Sequence, residues 1–205
     1  MLAMLDNGKL DMNAYERLCE KYLSILYQNG ADTQAHRSGS QITETLGEIL
    51  SPSVNKLFSL MPLTSDDVFV DLGSGLGKIV IQAFLQSDVR EAIGIEIVPW
   101  MHECATKAAS RLQQHMPELF ANRKLTFLSG DFLSTSFNAA TVALINATCF
   151  GPELLHALGR IIEQTPSIHT VFSMRPIPDL QRLHFRRAVS VECSWDAALC
   201  YMYQC

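Results

Sequence analysis

The sequence predicts a doubly wound α/β domain. It has a mostly parallel seven-stranded sheet, a C-terminal antiparallel hairpin and a small N-terminal helical segment. Three observations carry that expectation. Apolar runs at 67–72, 91–96, 125–129, 141–146 and 168–174 are interleaved with helical patterns at 76–87, 99–115 and 152–164. The first run ends in an acid followed by three alternate glycines, Asp71-Leu72-Gly73-Ser74-Gly75-Leu76-Gly77. Two closing runs, 185–194 and 197–204, read as an antiparallel pair. Right-handed crossovers wind such a sheet in both directions and place ligands at the carboxyl ends of its strands.

Taken in order, residues 11–28 carry Tyr15, Leu18, Tyr22, Leu23, Ile25 and Leu26 at the spacing of an amphipathic helix. That helix stops before Asn29-Gly30. Residues 31–41 are polar and read as a loop or a mobile lid. They divide the chain into an N-terminal helix and loop, 1–41, and a main domain, 42–205. Residues 42–49 fit either class. Ser51-Pro52 opens a helix through Leu60, with proline in its first turn, and Pro176 and Pro178 mark a rigid turn before the closing pair.

Composition narrows the function classes. Of the 205 residues, 48% are hydrophobic and 18% charged, which describes a chain with ample core. The net charge of −5, without a run of five Lys or Arg, argues against strong intrinsic nucleic-acid binding. Six cysteines form no C-x-x-C pair and have no histidine at ligand spacing. The expectation is therefore reduced thiols, no metal site and a cytoplasmic protein. Residues 1–6 are too short and too poor in basic flanking residues for a signal peptide. No run approaches the ~20 apolar residues of a membrane helix.

The glycine turn narrows the ligand. In a dinucleotide fingerprint the third glycine would come one residue later, and a phosphate loop would need glycine at Leu72 and a hydroxyl at Ile79. Asp71 would also repel a pyrophosphate. The pattern D-x-G-x-G-x-G, with Glu96 closing the next strand, instead looks like an S-adenosylmethionine site. Gly73 and Gly75 let the backbone turn and the ligand approach. Asp71 faces the cofactor's ammonium or sulfonium side, and Glu96 accepts from the ribose hydroxyls.

Further segments carry a specific likeness. Phe69 to Gly75, Gly94-Ile95-Glu96, Gly130-Asp131-Phe132-Leu133 and Asn146 to Glu153 occur in order. Together they resemble the non-SET histone-lysine methyltransferases of the disruptor-of-telomeric-silencing family. Leu46-Gly47-Glu48 is similar to that family's Tyr-Gly-Glu loop, Ser173 to Pro176 to its Ser-Lys-Pro stretch, and Val191 to Tyr203 to its closing hairpin. The likeness covers about residues 42–203. It implies a Rossmann-like class I methyltransferase fold and transfer of methyl from S-adenosylmethionine to a protein lysine. The chain departs from the pattern at Leu46 for tyrosine, Lys78 for a cofactor-facing glutamine and Ala147 for a second asparagine.

The resemblance and the residue chemistry together give a site. Glu48, Asp71, Gly73, Gly75, Lys78, Glu96, Asp131, Phe132 and Asn146 are the cofactor-binding candidates. Asn146 and Tyr203 are the catalytic candidates, with Phe150 and Trp195 bordering a channel for an alkyl-ammonium chain. Plainer roles stay open: Asn146 as cap of the 152 helix, Asp131 as a turn residue, Glu48 as a surface acid and the aromatics as core. The expected partner is a basic protein presenting a lysine, with a nuclear location only for a histone-directed enzyme. A small-molecule methyltransferase and a non-catalytic cofactor-binding protein are the alternatives.

Overall fold

The computed structural model describes residues 17, 21–27 and 48–205. The expectations for 1–16, 28–47 and the rest of the first helix lie outside these residues; 21–26 are helical. Thereafter the chain runs α1 (Ser51–Leu60), β1 (Val68–Leu72), α2 (Lys78–Gln86), β2 (Glu91–Glu96) and α3 (Pro99–His115). A 3-10 turn (Pro117–Phe120) leads to β3 (Lys124–Ser129), β4 (Val142–Ile145), α4 (Pro152–Glu163), β5 (Thr170–Ser173), β6 (His184–Glu192) and β7 (Ala197–Gln204). The sheet order is β3-β2-β1-β4-β5-β7-β6, parallel from β1 to β5 and closed by the antiparallel β7 and β6. Sequence order reverses between β1 and β4, which is where such sheets open a crevice at their carboxyl ends.

The central strands are covered on both sides, so β1, β4 and β5 are buried throughout and read as continuous apolar runs. One core lies between the sheet and α1, α2 and α3, with Val54, Leu57, Ile81, Phe84, Cys104 and Leu112 at its centre. Leu23, Leu26 and Tyr27 belong to that same core. A second core, with Leu155, Leu158 and Ile162 of α4, fills the opposite face. Among the described residues no helix is long and apolar enough to cross a membrane.

Helix α2 begins two residues later than the sequence pattern suggests, because the glycine turn is not helical. Gly77 takes φ +77°, and its N–H donates to the Ser74 carbonyl at 2.8 Å. A Cβ at Gly77 would stand 2.5 Å from a ring carbon of Phe127 and 2.8 Å from the Ala105 Cβ. Glycine is thus required twice over, by the left-handed backbone and by close packing of the turn on β3 and α3. Gly77→Ala should destabilise the fold by on the order of 2–4 kcal/mol, combining left-handed strain with overpacking. Urea unfolding measures this, and a loss below about 1 kcal/mol would show that the turn relaxes freely.

Candidate active site

A cavity of about 420 Å³ opens where β1, β2 and β4 end. That volume falls within the range of small-molecule pockets. All nine cofactor candidates line it: Glu48, Asp71, Gly73, Gly75, Lys78, Glu96, Asp131, Phe132 and Asn146. Phe150 also borders it.

Glu96 is buried and clamped by two backbone amides. The Gly75 N–H donates to Oε2 at 2.7 Å and the Val98 N–H to Oε1 at 2.8 Å. Each carboxylate oxygen keeps further acceptor capacity, so the clamp orients the group without exhausting it. Gly75 has φ +53°, and no protein atom lies within 4 Å of where a Cβ would stand. The turn therefore presents bare backbone to open space.

Asp71 shares this corner under worse conditions. It is 2% exposed, and its Oδ1 has no hydrogen-bond partner. Burial first, and then the charge of Glu96, pushes its pKa up to about 8. The Ser74 hydroxyl is also buried without a partner. A buried acceptor left unpaired beside a second carboxylate fits a ligand that brings a donor and positive charge. The residues present thus suit S-adenosylmethionine: Glu96 for a diol, Asp71 for a cation and the glycine turn for close approach.

Glu48 and Lys78 are paired with each other. Lys78 Nζ lies 2.7 Å from Glu48 Oε2 and 5.6 Å from the centroid of the Tyr27 ring. Tyr27 in turn donates its hydroxyl hydrogen to the Leu76 carbonyl at 2.5 Å. Burial, followed by the charge of Glu48, holds that phenol well above its usual pKa. The helix at 21–26, read from sequence as a packing element, thus reaches the glycine turn through its last residues.

Asp131 fills its turn role, since Oδ1 accepts the Leu133 N–H at 2.9 Å, and it faces the cavity as well. Phe132 stacks on Phe150 with ring centroids 5.7 Å apart. The Phe150 carbonyl accepts from the Arg175 guanidinium, which ties the segment to the proline turn. Asn146 does not cap α4: the N-cap is Gly151, with no side-chain cap. Its Oδ1 accepts instead from the Thr148 hydroxyl at 3.0 Å. Ala147 is fully buried in the α4-side core, so of this pair only Asn146 faces the cavity.

Two expected residues are elsewhere. Tyr203 is buried in the core beside α4, where its hydroxyl accepts the Ile177 N–H at 3.2 Å and Phe185 packs edge-on to its ring. The pairing of Tyr203 with Val171, two residues short of the carboxyl end of β5, keeps it from the cavity. Tyr203 therefore does not stand at the cavity as the catalytic residue the sequence leads us to expect. Trp195 sits in the β6–β7 turn, 45% exposed, and does not line the cavity. Ile97 was not anticipated, yet it lines the cavity while 63% exposed. Its signal was its place directly after Glu96 at a strand end. Among the described residues no group of three or more His, Cys, Asp or Glu could hold a metal ion.

This fold is that of the class I methyltransferases. An RNA methyltransferase from Salinibacter ruber, solved with S-adenosyl-L-homocysteine, is 25% identical with a TM-score of 0.54; the match covers 75% of this chain and 90% of that one. The chain belongs to the family described as histone methylation protein DOT1, whose model matches residues 22–192. A histone-lysine N-methyltransferase of Cryptococcus neoformans, H3 lysine-79 specific, is 29% identical over 149 residues, or 69% of this chain. The corresponding enzyme of Caenorhabditis elegans is 30% identical over 131 residues, or 61% of this chain. The matched regions make up 23% and 14% of those relatives.

Asp71 gives a pH prediction. Its folded pKa is raised, so ionisation in the unfolded chain from about pH 4 upward lowers stability until the folded group titrates near pH 8. Asp71→Asn should therefore stabilise the unliganded protein by an amount that grows across this window, by up to about 1.4 kcal/mol per pH unit. Thermal melts from pH 4 to 9 check it, and a gain independent of pH would contradict the assignment.

Proposed function

We propose that the protein is an S-adenosylmethionine-dependent methyltransferase acting on a lysine amine of a basic protein, histone H3 being the class of substrate. The observation that carries the reading is the corner where clamped Glu96 meets unpartnered, buried Asp71 beside bare glycine backbone. Family membership and the relatives' names support the acceptor. The expected cytoplasmic location gains no support from relatives named for histone H3; a substrate of that kind would place the protein with chromatin.

Bound in the cavity, the cofactor supplies an electrophilic methyl on a sulfonium. Everything else is positioning by this chain. Glu96 accepts from the ribose hydroxyls, and Asp131 with Phe132 holds the adenine. Asp71 and the Lys78–Glu48 pair take the amino-acid end. On the acceptor side Phe150 supplies an apolar wall, and the Asn146 amide sets the direction of an incoming amine. A lysine must arrive neutral to attack, and an apolar wall lowers its pKa by disfavouring the ammonium.

Incubation with methyl-labelled cofactor, histone octamers and a lysate tests the proposal. Label on lysine is expected; label only on RNA or on metabolites would overturn the acceptor. Glu96→Ala should weaken cofactor affinity by more than about tenfold with the fold intact, as measured by calorimetry. Asn146→Ala should lower kcat by a far larger factor than it weakens cofactor affinity, since its contact matters mainly in the transition state.

A further inference from the structure

The β6–β7 turn is fastened to the cavity through one short segment. Ser194 grips both backbone groups of Glu48: its N–H donates to the Glu48 carbonyl at 2.8 Å, and its hydroxyl accepts the Glu48 N–H at 3.1 Å. Ile49 and Cys193 form an antiparallel bridge beside this pair, and the Leu50 N–H donates to the Glu192 carbonyl at 2.9 Å. The Glu192 N–H then donates to the Ser53 hydroxyl at 2.7 Å, at the start of α1. The side chain of Glu48, held from behind in this way, pairs with Lys78 in the cavity wall.

We propose that Ser194 is a positioning residue for ligand binding. By holding Glu48 it presents the Lys78–Glu48 ion pair as a receptor for the zwitterionic amino-acid end of the cofactor. The proposal rests on the reading above that this cavity takes S-adenosylmethionine. Its chemistry is an exchange of partners. An ammonium matches Glu48 and a carboxylate matches Lys78, so a zwitterion can insert into the pair without leaving either charge unmatched. Both side chains are partly exposed, at 38% and 33%, so opening the pair forfeits little. The adenine end, at Asp131 and Phe132, lies in the turn after β3 and has no hydrogen bond to the β6–β7 turn among the described residues.

A plain structural staple would act on all ligands alike, and this one should not. The probes are S-adenosylhomocysteine, which carries the amino-acid end, and 5′-methylthioadenosine, which lacks it; calorimetry gives both affinities. Ser194 is exposed, so Ser194→Ala removes one acceptor with little effect on packing. It should weaken adenosylhomocysteine by about three- to tenfold and leave methylthioadenosine within about twofold. Ser194→Thr, which keeps the hydroxyl, should restore the affinity. Lys78→Met should show the same selective loss, and the double variant should lose less than the product of the two singles. Equal losses for both ligands, or an unchanged adenosylhomocysteine affinity in Ser194→Ala, would overturn this proposal alone. Wild-type protein that binds neither probe would overturn the cofactor reading, and this proposal with it.

Discussion

A buried carboxylate without a partner is the constraint around which this protein is arranged. Asp71 stands next to last in the central strand, on the face that carries Phe69, deep enough to be 2% exposed. An isolated charge there is costly, and the neighbouring carboxylate of Glu96 makes it costlier. The surroundings do nothing to relieve that cost with arginine or lysine at Asp71. They give their hydrogen bonds to Glu96 instead, through the amides of Gly75 and Val98. One carboxylate is thus held rigid by two backbone amides, while the other is left to be satisfied by what enters the cavity. Stability given up at a site of binding is a familiar trade in enzymes.

The sheet makes this arrangement possible. Reversal of strand order between β1 and β4 opens the crevice, and parallel strands direct their carboxyl ends into it. Five separate stretches of chain meet there: the segment at Glu48 and Ile49, the glycine turn, the end of β2, the turn after β3 and the segment after β4. The antiparallel hairpin adds a further influence without touching the cavity. Its turn holds Glu48 by the backbone, and Glu48 holds Lys78. The hairpin edge of the sheet is therefore joined to the cavity wall by a chain of bonds that runs through Glu48 to Lys78.

Much of this was legible in the chain because the signals are local. Alternating apolar runs and helical patterns place β1 to β5, and the early third glycine excludes a dinucleotide turn. Asp71, Glu96, Asp131 and Asn146 could each be placed because they end or follow a strand. Tyr203 was misplaced for a reason of register. Tyrosines at 201 and 203 share one face of β7, and whether that face meets a channel or a core depends on pairing with β5, far away in sequence. The Lys78–Glu48 pair and the hold of Tyr27 on Leu76 were equally invisible, since they join residues 30 and 49 positions apart. Local pattern says where a side chain starts, and tertiary packing says what it meets.

The central claim is that a cationic ligand supplies the partner Asp71 lacks. Binding must then ionise a group that is neutral in the free protein near pH 7, and the displaced proton must leave for the buffer. Calorimetric titration of S-adenosylhomocysteine at pH 7, repeated in buffers of different ionisation enthalpy, counts that proton directly. The account predicts release approaching about one proton per ligand bound, abolished by Asp71→Asn. Tight binding with no proton released, or with release unaffected by Asp71→Asn, would contradict it.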